Sequence, residues 1–269
     1  MRRVLVTGSE GFIGKNLCAH LSKRGIQVDT YDIKHGGNLP VLNGIDAVIH
    51  LGAISSTTET DLKKILKENF IFSKTLYGLC SAMDVKFQYS SSASVYGLSE
   101  SFEEDQFCLP LNPYAYSKYM FDNWLLNEKY PYQGFRYFNV YGPHEEEKGE
   151  QASPVTKFTK QAKENGEIKV FRTKASRDFV HVEDVCEVHY RMLHHGDSGV
   201  YNVGTGNPVS FEDIANKIAE KYGAKVKRIT TPKALKGQYQ KFTKADTKKL
   251  TSVIGELTWK QVLEHIDSK

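Results

Sequence analysis

The alternation of short apolar runs with amphipathic segments constrains the fold of this chain most. The apolar runs that predict strands are VLVT (4–7), QVDTYD (27–32), DAVIHLGA (46–53), VKFQYSSS (85–92) and GFRYFNV (134–140). Segments with helical spacing lie between most of them, and the first places Ile13, Leu17 and Leu21 on one face. Strands separated by helices pair in parallel. The sequence therefore predicts an α/β fold with a doubly wound parallel sheet.

A glycine-rich turn joins the first predicted strand to the first predicted helix. TGSEGFIG (7–14) places Gly8, Gly11 and Gly14 at a regular spacing. Glycines permit a tight turn and let the backbone approach a dinucleotide pyrophosphate, whose charge the helix N-terminus then faces. Asp32 ends the second predicted strand, where a carboxylate binds a ribose hydroxyl. We therefore expect a Rossmann-like domain that holds a dinucleotide.

The residues after the second strand leave the choice of dinucleotide open. The carboxylate of Asp32 favours NAD because it repels a 2′-phosphate, whereas the ammonium of Lys34 would accept that phosphate. NADP and NAD therefore both remain candidates.

A second motif, NPYAYSKYMFDN (112–123), predicts a helix that carries a paired tyrosine and lysine. Asn112 suits the N-cap and Pro113 the first helical position. Tyr114 and Lys118 are then four residues apart on one face, and Tyr116 points elsewhere. An ammonium beside a phenol lowers its pKa from about 10, which would make Tyr114 a general base.

Composition excludes several classes of protein. The net charge of +4 is too mild to indicate a nucleic-acid partner. No apolar run approaches the ~20 residues that cross a bilayer, and MRRVLVTG does not resemble a signal peptide. The cysteines are scattered, which predicts neither a disulfide framework nor a metal site. We expect a cytoplasmic protein with no metal and no membrane partner.

The C-terminal part mixes shorter elements and contains a lysine-rich loop at 225–249. We predict an NAD(P)-binding Rossmann domain over 1–143, to which 178–204 returns. The remaining segments, 144–177 and 205–269, would form a smaller α/β C-terminal lobe that binds substrate.

Five motifs together resemble the extended short-chain dehydrogenase/reductase family, which contains the nucleotide-sugar epimerases and dehydratases. They are TGSEGFIG, YSSSASVYG (89–97), YAYSK (114–118), GFRYFNVYGP (134–143) and RDFVHVEDV (177–185). Three further segments are similar to the ADP-heptose 6-epimerases of that family: HLGAISSTTETD (50–61), RYFNVYGPHEEEKGEQAS (136–153) and LKGQYQKFTKAD (235–246). The resemblance implies a homo-oligomer that acts on a nucleotide-diphosphate sugar.

The resemblance also implies a mechanism. Tyr114 would take the proton of a sugar hydroxyl while tightly bound NAD(P) takes the hydride, which leaves a planar ketone. Return of the hydride to the opposite face of this ketone would invert the carbon. Ser92 would hydrogen-bond the reacting oxygen. Lys118 would bind the nicotinamide ribose and depress the tyrosine pKa. Lys148 would be the second acid/base.

The binding residues follow from the same resemblance. The cofactor would be bound by Gly8, Gly11, Phe12, Ile13, Gly14, Asp32, Ile33, Lys34, Leu51, Gly52, Ala53, Asn69, Tyr114 and Lys118. The substrate would be bound by Ser92, Asn139, Glu150, Lys157, Arg177 and Tyr239. Asn69 would also hydrogen-bond the backbone of the fifth strand and shape the pocket. Glu150 and Lys157 stand where the family has a small hydroxyl residue and a histidine, so the sugar can differ from ADP-heptose.

The segment between Asp32 and DAVIH is shorter than in the family, which places a third strand and a helix there. LPVL (39–42) could form a short strand, but no room remains for the helix. The adenine side of the cofactor pocket would then be more open.

Three alternatives differ at identifiable residues. A 4,6-dehydratase has an acidic pair after its catalytic hydroxyl, where this chain has Ala93 and Ser94. A UDP-sugar 4-epimerase shares Ser92, Tyr114 and Lys118. A non-enzymatic dinucleotide sensor would usually lack the tyrosine.

Overall fold

A computed structural model describes residues 1–36, 39–230 and 240–268. The strands are β1 (Arg3–Thr7), β2 (Gln27–Tyr31), β3 (Ala47–His50), β4 (Lys86–Ser92), β5 (Tyr132–Tyr137), β6 (Asn139–Tyr141), β7 (Glu167–Phe171), β8 (Ser176–His181), β9 (Gly199–Val203), β10 (Pro208–Ser210) and β11 (Lys225–Ile229). The helices are α1 (Phe12–Lys23), α2 (Leu62–Ile65), α3 (Phe72–Ala82), α4 (Pro113–Leu125), α5 (Pro154–Asn165), α6 (Val182–Met192), α7 (Phe211–Tyr222), α8 (Lys248–Ile254) and α9 (Val262–Ser268). A π-helical segment, Leu66–Ile71, joins α2 to α3.

The main sheet contains six parallel strands in the order β2–β1–β3–β4–β5–β9. The strand order reverses between β1 and β3, and ligands of such sheets bind at the carboxyl ends of the strands at this point. Helices α3 and α4 contribute apolar side chains to one core, and α1 and α6 contribute to another. The predicted Rossmann-like doubly wound fold is confirmed.

A smaller unit lies beyond this sheet. It contains the three-stranded sheet β10–β8–β6 and the pair β11–β7. Helices α5, α7 and α9 pack on these strands around a separate apolar core that includes Phe158, Phe179 and Ile218. We propose, as the sequence predicts, that this core marks the substrate-binding lobe.

The connection from β2 to β3 is short. Ile33–His35 forms a 3-10 turn, and the described residues 39–46 contain no strand or helix. The short strand considered at LPVL is therefore wrong. Pro40 has no N–H to donate to a ladder, while Leu42 is buried in the main core and Val41 is exposed.

Two buried histidines make the fold sensitive to acid. His189 shares hydrogen bonds with Gln88 Oε1 (2.8 Å) and the Tyr137 hydroxyl (2.5 Å). Burial lowers the pKa of His189, like that of His50, to about 3. Between pH 6.5 and 3 the unfolded chain binds a proton at each histidine that the folded chain does not, so stability falls as the pH falls.

We therefore expect His189→Gln to remove part of this acid sensitivity. Two pH units below 6.5, the wild-type chain should have lost about 2.7 kcal/mol at His189, a loss that the variant lacks. Urea unfolding of both proteins at pH 7 and pH 4.5 measures this difference. The exposed His194→Gln is the control. An equal loss of stability in wild type and His189→Gln would contradict the expectation.

Candidate active site

A cleft of about 530 Å³ opens at the carboxyl ends of β1 to β4. The predicted cofactor residues that line it are Gly8, Gly11, Phe12, Ile13, Gly14, Asp32, Ile33, Lys34, Leu51, Gly52, Ala53, Tyr114 and Lys118. The structure thus brings together side chains from four strand ends and α4.

The glycine turn forms the floor of the cleft. Neither Gly8 nor Gly14 has room for a side chain, so both positions require glycine. Gly8 has φ +68°, and a Cβ there would lie 2.6 Å from the Gly52 nitrogen. A Cβ at Gly14 would lie 2.2 Å from the Gly8 oxygen. Gly11 is the N-cap of α1, so the first amides of that helix meet the cleft without a capping side chain. This arrangement fits a pyrophosphate.

Asp32 lies beside the glycine turn and organises the edge of the cleft. Its Oδ1 accepts a hydrogen bond from the Lys34 amide (3.2 Å) and caps the 3-10 turn. The side chains of His35 and Glu10 pair across the turn. Asp32 and Lys34 therefore face the same cavity from adjacent positions.

Helix α4 presents the tyrosine and lysine as its spacing predicts. Asn112 caps the helix by accepting the Ala115 amide (2.9 Å). Tyr114 and Lys118 line the cleft, and Tyr116 is 55% exposed on the outer surface.

The pKa of Tyr114 is raised in this structure, whereas the sequence predicts that it is lowered. The Lys118 ammonium donates to the Ser90 carbonyl (2.8 Å) and lies 3.3 Å from the Ser90 hydroxyl. Burial lowers the Lys118 pKa to about 8. Burial also raises the pKa of Tyr114, although its hydrogen bond with Ser92 opposes that change. The Ser92 hydroxyl therefore favours the phenolate form of Tyr114, and the effect of the Lys118 ammonium on that form stays a prediction.

Asn69 does not line the cleft and does not bond the fifth strand as expected. Its side-chain oxygen accepts a hydrogen bond from the backbone N–H of Ile54 (2.8 Å). Its side-chain nitrogen donates to the Ile54 carbonyl (3.0 Å) and to the Ser117 hydroxyl (3.0 Å). It lies in the π-helical segment, a distortion that is frequent at functional sites. Asn69 therefore fixes the loop after β3 against α4.

Lys148 enters the cleft from a separate segment, residues 144–153, here called the Lys148 arm. Its ammonium lies 5.7 Å from the centroid of the Phe12 ring. Burial lowers its pKa, and Glu145 opposes this. Glu147 pairs with Lys15 on α1 (2.6 Å), which ties the arm to the helix whose N-terminus lines the cleft.

Two predicted substrate residues, Glu150 and Lys157, line a different cavity of about 700 Å³ between the arm, α5, α7 and α9. They form an ion pair of 3.4 Å. Gly149, with φ 51° and ψ −118°, turns the chain from one cavity to the other. The substrate roles of Glu150 and Lys157 remain predictions.

Two further predicted substrate residues, Asn139 and Arg177, lie outside the cleft lining. Asn139 is in β6 opposite Phe179. Arg177 is buried in β8, with its guanidinium 5.6 Å from the Phe211 ring centroid. Tyr239 lies outside the described residues, and all three roles stay predictions.

Sequence reasoning missed a buried polar network beneath the site. Asp122 accepts hydrogen bonds from Tyr89 (2.9 Å), Ser91 (2.9 Å) and Arg136 (3.0 Å). Its charge also favours the protonated form of Lys118. The spacing could have revealed it, since Asp122 follows Lys118 by four residues and therefore lies on the same face of α4.

The described parts of the chain contain no helix able to span a bilayer. Among the same residues, no group of histidine, cysteine and acidic side chains could hold a metal ion.

Comparison with known proteins agrees with this geometry. The sequence model of the NAD dependent epimerase/dehydratase family matches residues 4–204. The ADP-L-glycero-D-manno-heptose-6-epimerase of Brachyspira hyodysenteriae is 39% identical over 286 aligned residues, covering 92% of this chain and 90% of that protein.

Two solved structures extend the comparison. The crystal structure of the Helicobacter pylori ADP-L-glycero-D-manno-heptose-6-epimerase has a TM-score of 0.86 at 27% identity, covering 100% of this chain and 97% of its own. MoeE5, solved with UDP-glucuronic acid and NAD, has a TM-score of 0.83 at 25% identity, with coverage of 99% and 97%.

Proposed function

The chain belongs to the NAD dependent epimerase/dehydratase family, and on that premise we propose that it is a nucleotide-sugar epimerase of the ADP-heptose 6-epimerase type. The observation that carries the proposal is the meeting of Tyr114, Lys118 and Lys148 in one cleft whose floor is a glycine turn. Similarity to two heptose 6-epimerases supports the choice of reaction.

The residues of the cleft fit a nicotinamide dinucleotide. The amides at the start of α1 would hold its pyrophosphate and Asp32 its ribose, and Lys118 stands beside Ser90 where the nicotinamide end would lie. The bound group supplies a reversible hydride acceptor. Epimerisation causes no net oxidation, so a tightly bound cofactor suffices. The adjacent Asp32 and Lys34 keep both NAD and NADP as candidates.

The protein itself supplies the groups that accept and donate protons. Tyr114, as a phenolate that the Ser92 hydroxyl stabilises, takes the proton of the sugar hydroxyl and becomes a neutral phenol. Lys148 reaches the same cleft from the arm instead of from α4. Two groups on different elements can serve the two faces of a planar ketone, which inversion requires.

The substrate class that we propose is a nucleotide-diphosphate heptose. Arg177 would pair with its diphosphate, Asn139 would contact the sugar or the cofactor, and Tyr239 would face the substrate. Glu150 and Lys157 would contribute to the choice of sugar. A cytoplasmic homo-oligomer agrees with the sequence resemblance. A UDP-sugar 4-epimerase is the alternative with the same proton-transfer residues.

Elimination of water is disfavoured by the residues after Ser92. The Ser94 hydroxyl bonds to the Ser92 hydroxyl (2.8 Å), so the position of a dehydratase acid holds a neutral group. It cannot protonate a leaving hydroxyl as a carboxylic acid can.

An NMR assay with a panel of nucleotide sugars in deuterated water tests the function. We expect ADP-heptose to reach an equilibrium of two C6 epimers. Inversion at C4 of a UDP-sugar, with no reaction of ADP-heptose, would replace the proposal by the 4-epimerase. Loss of water with deuterium at C5 would indicate a dehydratase.

A further inference from the structure

Glu145 is a buried carboxylate at the base of the Lys148 arm. Only 1% of the residue is exposed. One oxygen accepts from the Ser153 amide (2.7 Å), and the other accepts from the hydroxyls of Ser153 (2.7 Å) and Thr156 (2.5 Å). Burial raises the pKa of the Glu145 carboxyl, and these three donors, together with the charge of Lys148, oppose that rise. The carboxyl group of Glu145 is therefore held by hydrogen bonds against the first turn of α5.

The same residue is connected to Lys148 in two ways. The Lys148 amide donates to the Glu145 carbonyl (3.0 Å), which closes one 3-10 turn. The Glu145 carboxylate is also the charge that favours the protonated form of the Lys148 amine, against its burial. Ser153 is the N-cap of α5 and Thr156 lies in its first turn, so the Glu145 carboxyl group links the Lys148 arm to the start of this helix.

The other charged groups around the arm have different partners or act from other elements. Glu147 is paired with Lys15 of α1. His144 and Lys34 act on Glu147. Lys118 lies on α4 across the shared cleft, beside Tyr114. Glu145 is thus the acidic group of the described arm whose charge acts on Lys148.

We propose that Glu145 is a positioning residue: its buried carboxylate fixes the Lys148 arm to the start of α5 and keeps the Lys148 amine protonated for transfer to the substrate. This inference rests on the proposed function, since it assigns Lys148 as the second acid/base. It adds a residue for which the sequence motifs predict no role.

Glu145→Gln tests the charge while keeping the shape of the side chain. Its amide can still meet Ser153 and Thr156, because hydroxyl groups can rotate to accept as well as donate. Loss of the negative charge should lower the titration midpoint of Lys148 by about one pH unit, or about tenfold in its protonation constant. NMR of lysine-labelled full-length protein measures the midpoint, with Lys148→Met to assign the signal.

The matched control is Glu146→Gln, one residue further along the same run of glutamates. Glu146 is exposed, so solvent and salt screen its charge. Its removal should leave the Lys148 titration unchanged. An unchanged midpoint in Glu145→Gln, or an equal shift in both variants, would overturn the inference.

A reciprocal measurement covers the case in which Glu145→Gln does not fold. Coupling between two sites is mutual, so Lys148→Met should raise the titration midpoint of the Glu145 carboxyl, which carbon NMR detects. No change there would also overturn the inference.

The same experiments separate this inference from the proposed function. The NMR titrations need no turnover, so a coupled pair in a protein inert toward ADP-heptose would reject the function alone. In an active enzyme, the limb of the pH–turnover profile that reports Lys148 ionisation should shift to lower pH in Glu145→Gln, as the NMR titration midpoint of Lys148 does. Reduced turnover with an unmoved limb would show that Glu145 is merely structural.

Discussion

Replacement of Tyr114 by phenylalanine is expected to lower turnover by about 10²- to 10⁴-fold, the range for loss of a general acid/base. The phenol is the group of α4 that faces the cleft beside Ser92, and phenylalanine keeps the ring while removing the proton that moves. Bound dinucleotide should be retained, because the glycine turn and Asp32 are untouched. Turnover with ADP-heptose and absorbance of the released cofactor measure the two quantities.

Tyr116→Phe is the matched control for this variant. It makes the same chemical change on the same helix, two residues away, at a side chain that is 55% exposed. It should behave as wild type. Full activity in Tyr114→Phe, or an equal loss in both variants, would remove Tyr114 from the mechanism.

Replacement of Lys148 is expected to have the next largest effect. Lys148→Met should lower epimerisation by about 10²- to 10⁴-fold, since the second face of the ketone then lacks a proton-transfer group. Lys148→Arg should be equally impaired, because a guanidinium keeps the charge but does not release a proton near neutral pH. The effect is measured as the epimerisation rate with each of the two C6 epimers as the starting substrate.

The two substitutions distinguish proton transfer from simple charge. An active Lys148→Arg would mean that Lys148 only binds the substrate, and an active Lys148→Met would exclude it from both roles. Lys160→Met, a mostly exposed lysine on α5, is the control and should not alter either rate.

Most of the main sheet was predictable because its signals are local. The apolar runs at β1 to β5 and the glycine turn before α1 each identify an element without knowledge of its partners. The short strands β8 and β10 were not predicted, the predicted strand 134–140 merged β5 with β6, and β11 lies in the segment 225–249 that was predicted to be a loop. They have few residues and their pairing depends on contacts distant in sequence.

The site was predictable where the spacing of residues along one element determines it. Tyr114 and Lys118 share a helix face by periodicity alone. The direction of the Lys118 ammonium was not predictable, because the Ser90 carbonyl that it contacts belongs to another element. The same reason explains why Glu150 and Lys157, although near Lys148 in sequence, line a different cavity. The buried role of Glu145 within a run of glutamates depends on α5.

The most direct test of the central claim follows the hydrogen at the inverted carbon. ADP-heptose that carries deuterium at C6 is converted in ordinary water, and the product is examined by NMR and mass spectrometry. Transient oxidation in the Tyr114 cleft predicts that the label stays at C6, because the hydrogen never exchanges with solvent. Loss of the label to water would mean that the carbon is inverted by deprotonation, and would contradict this account.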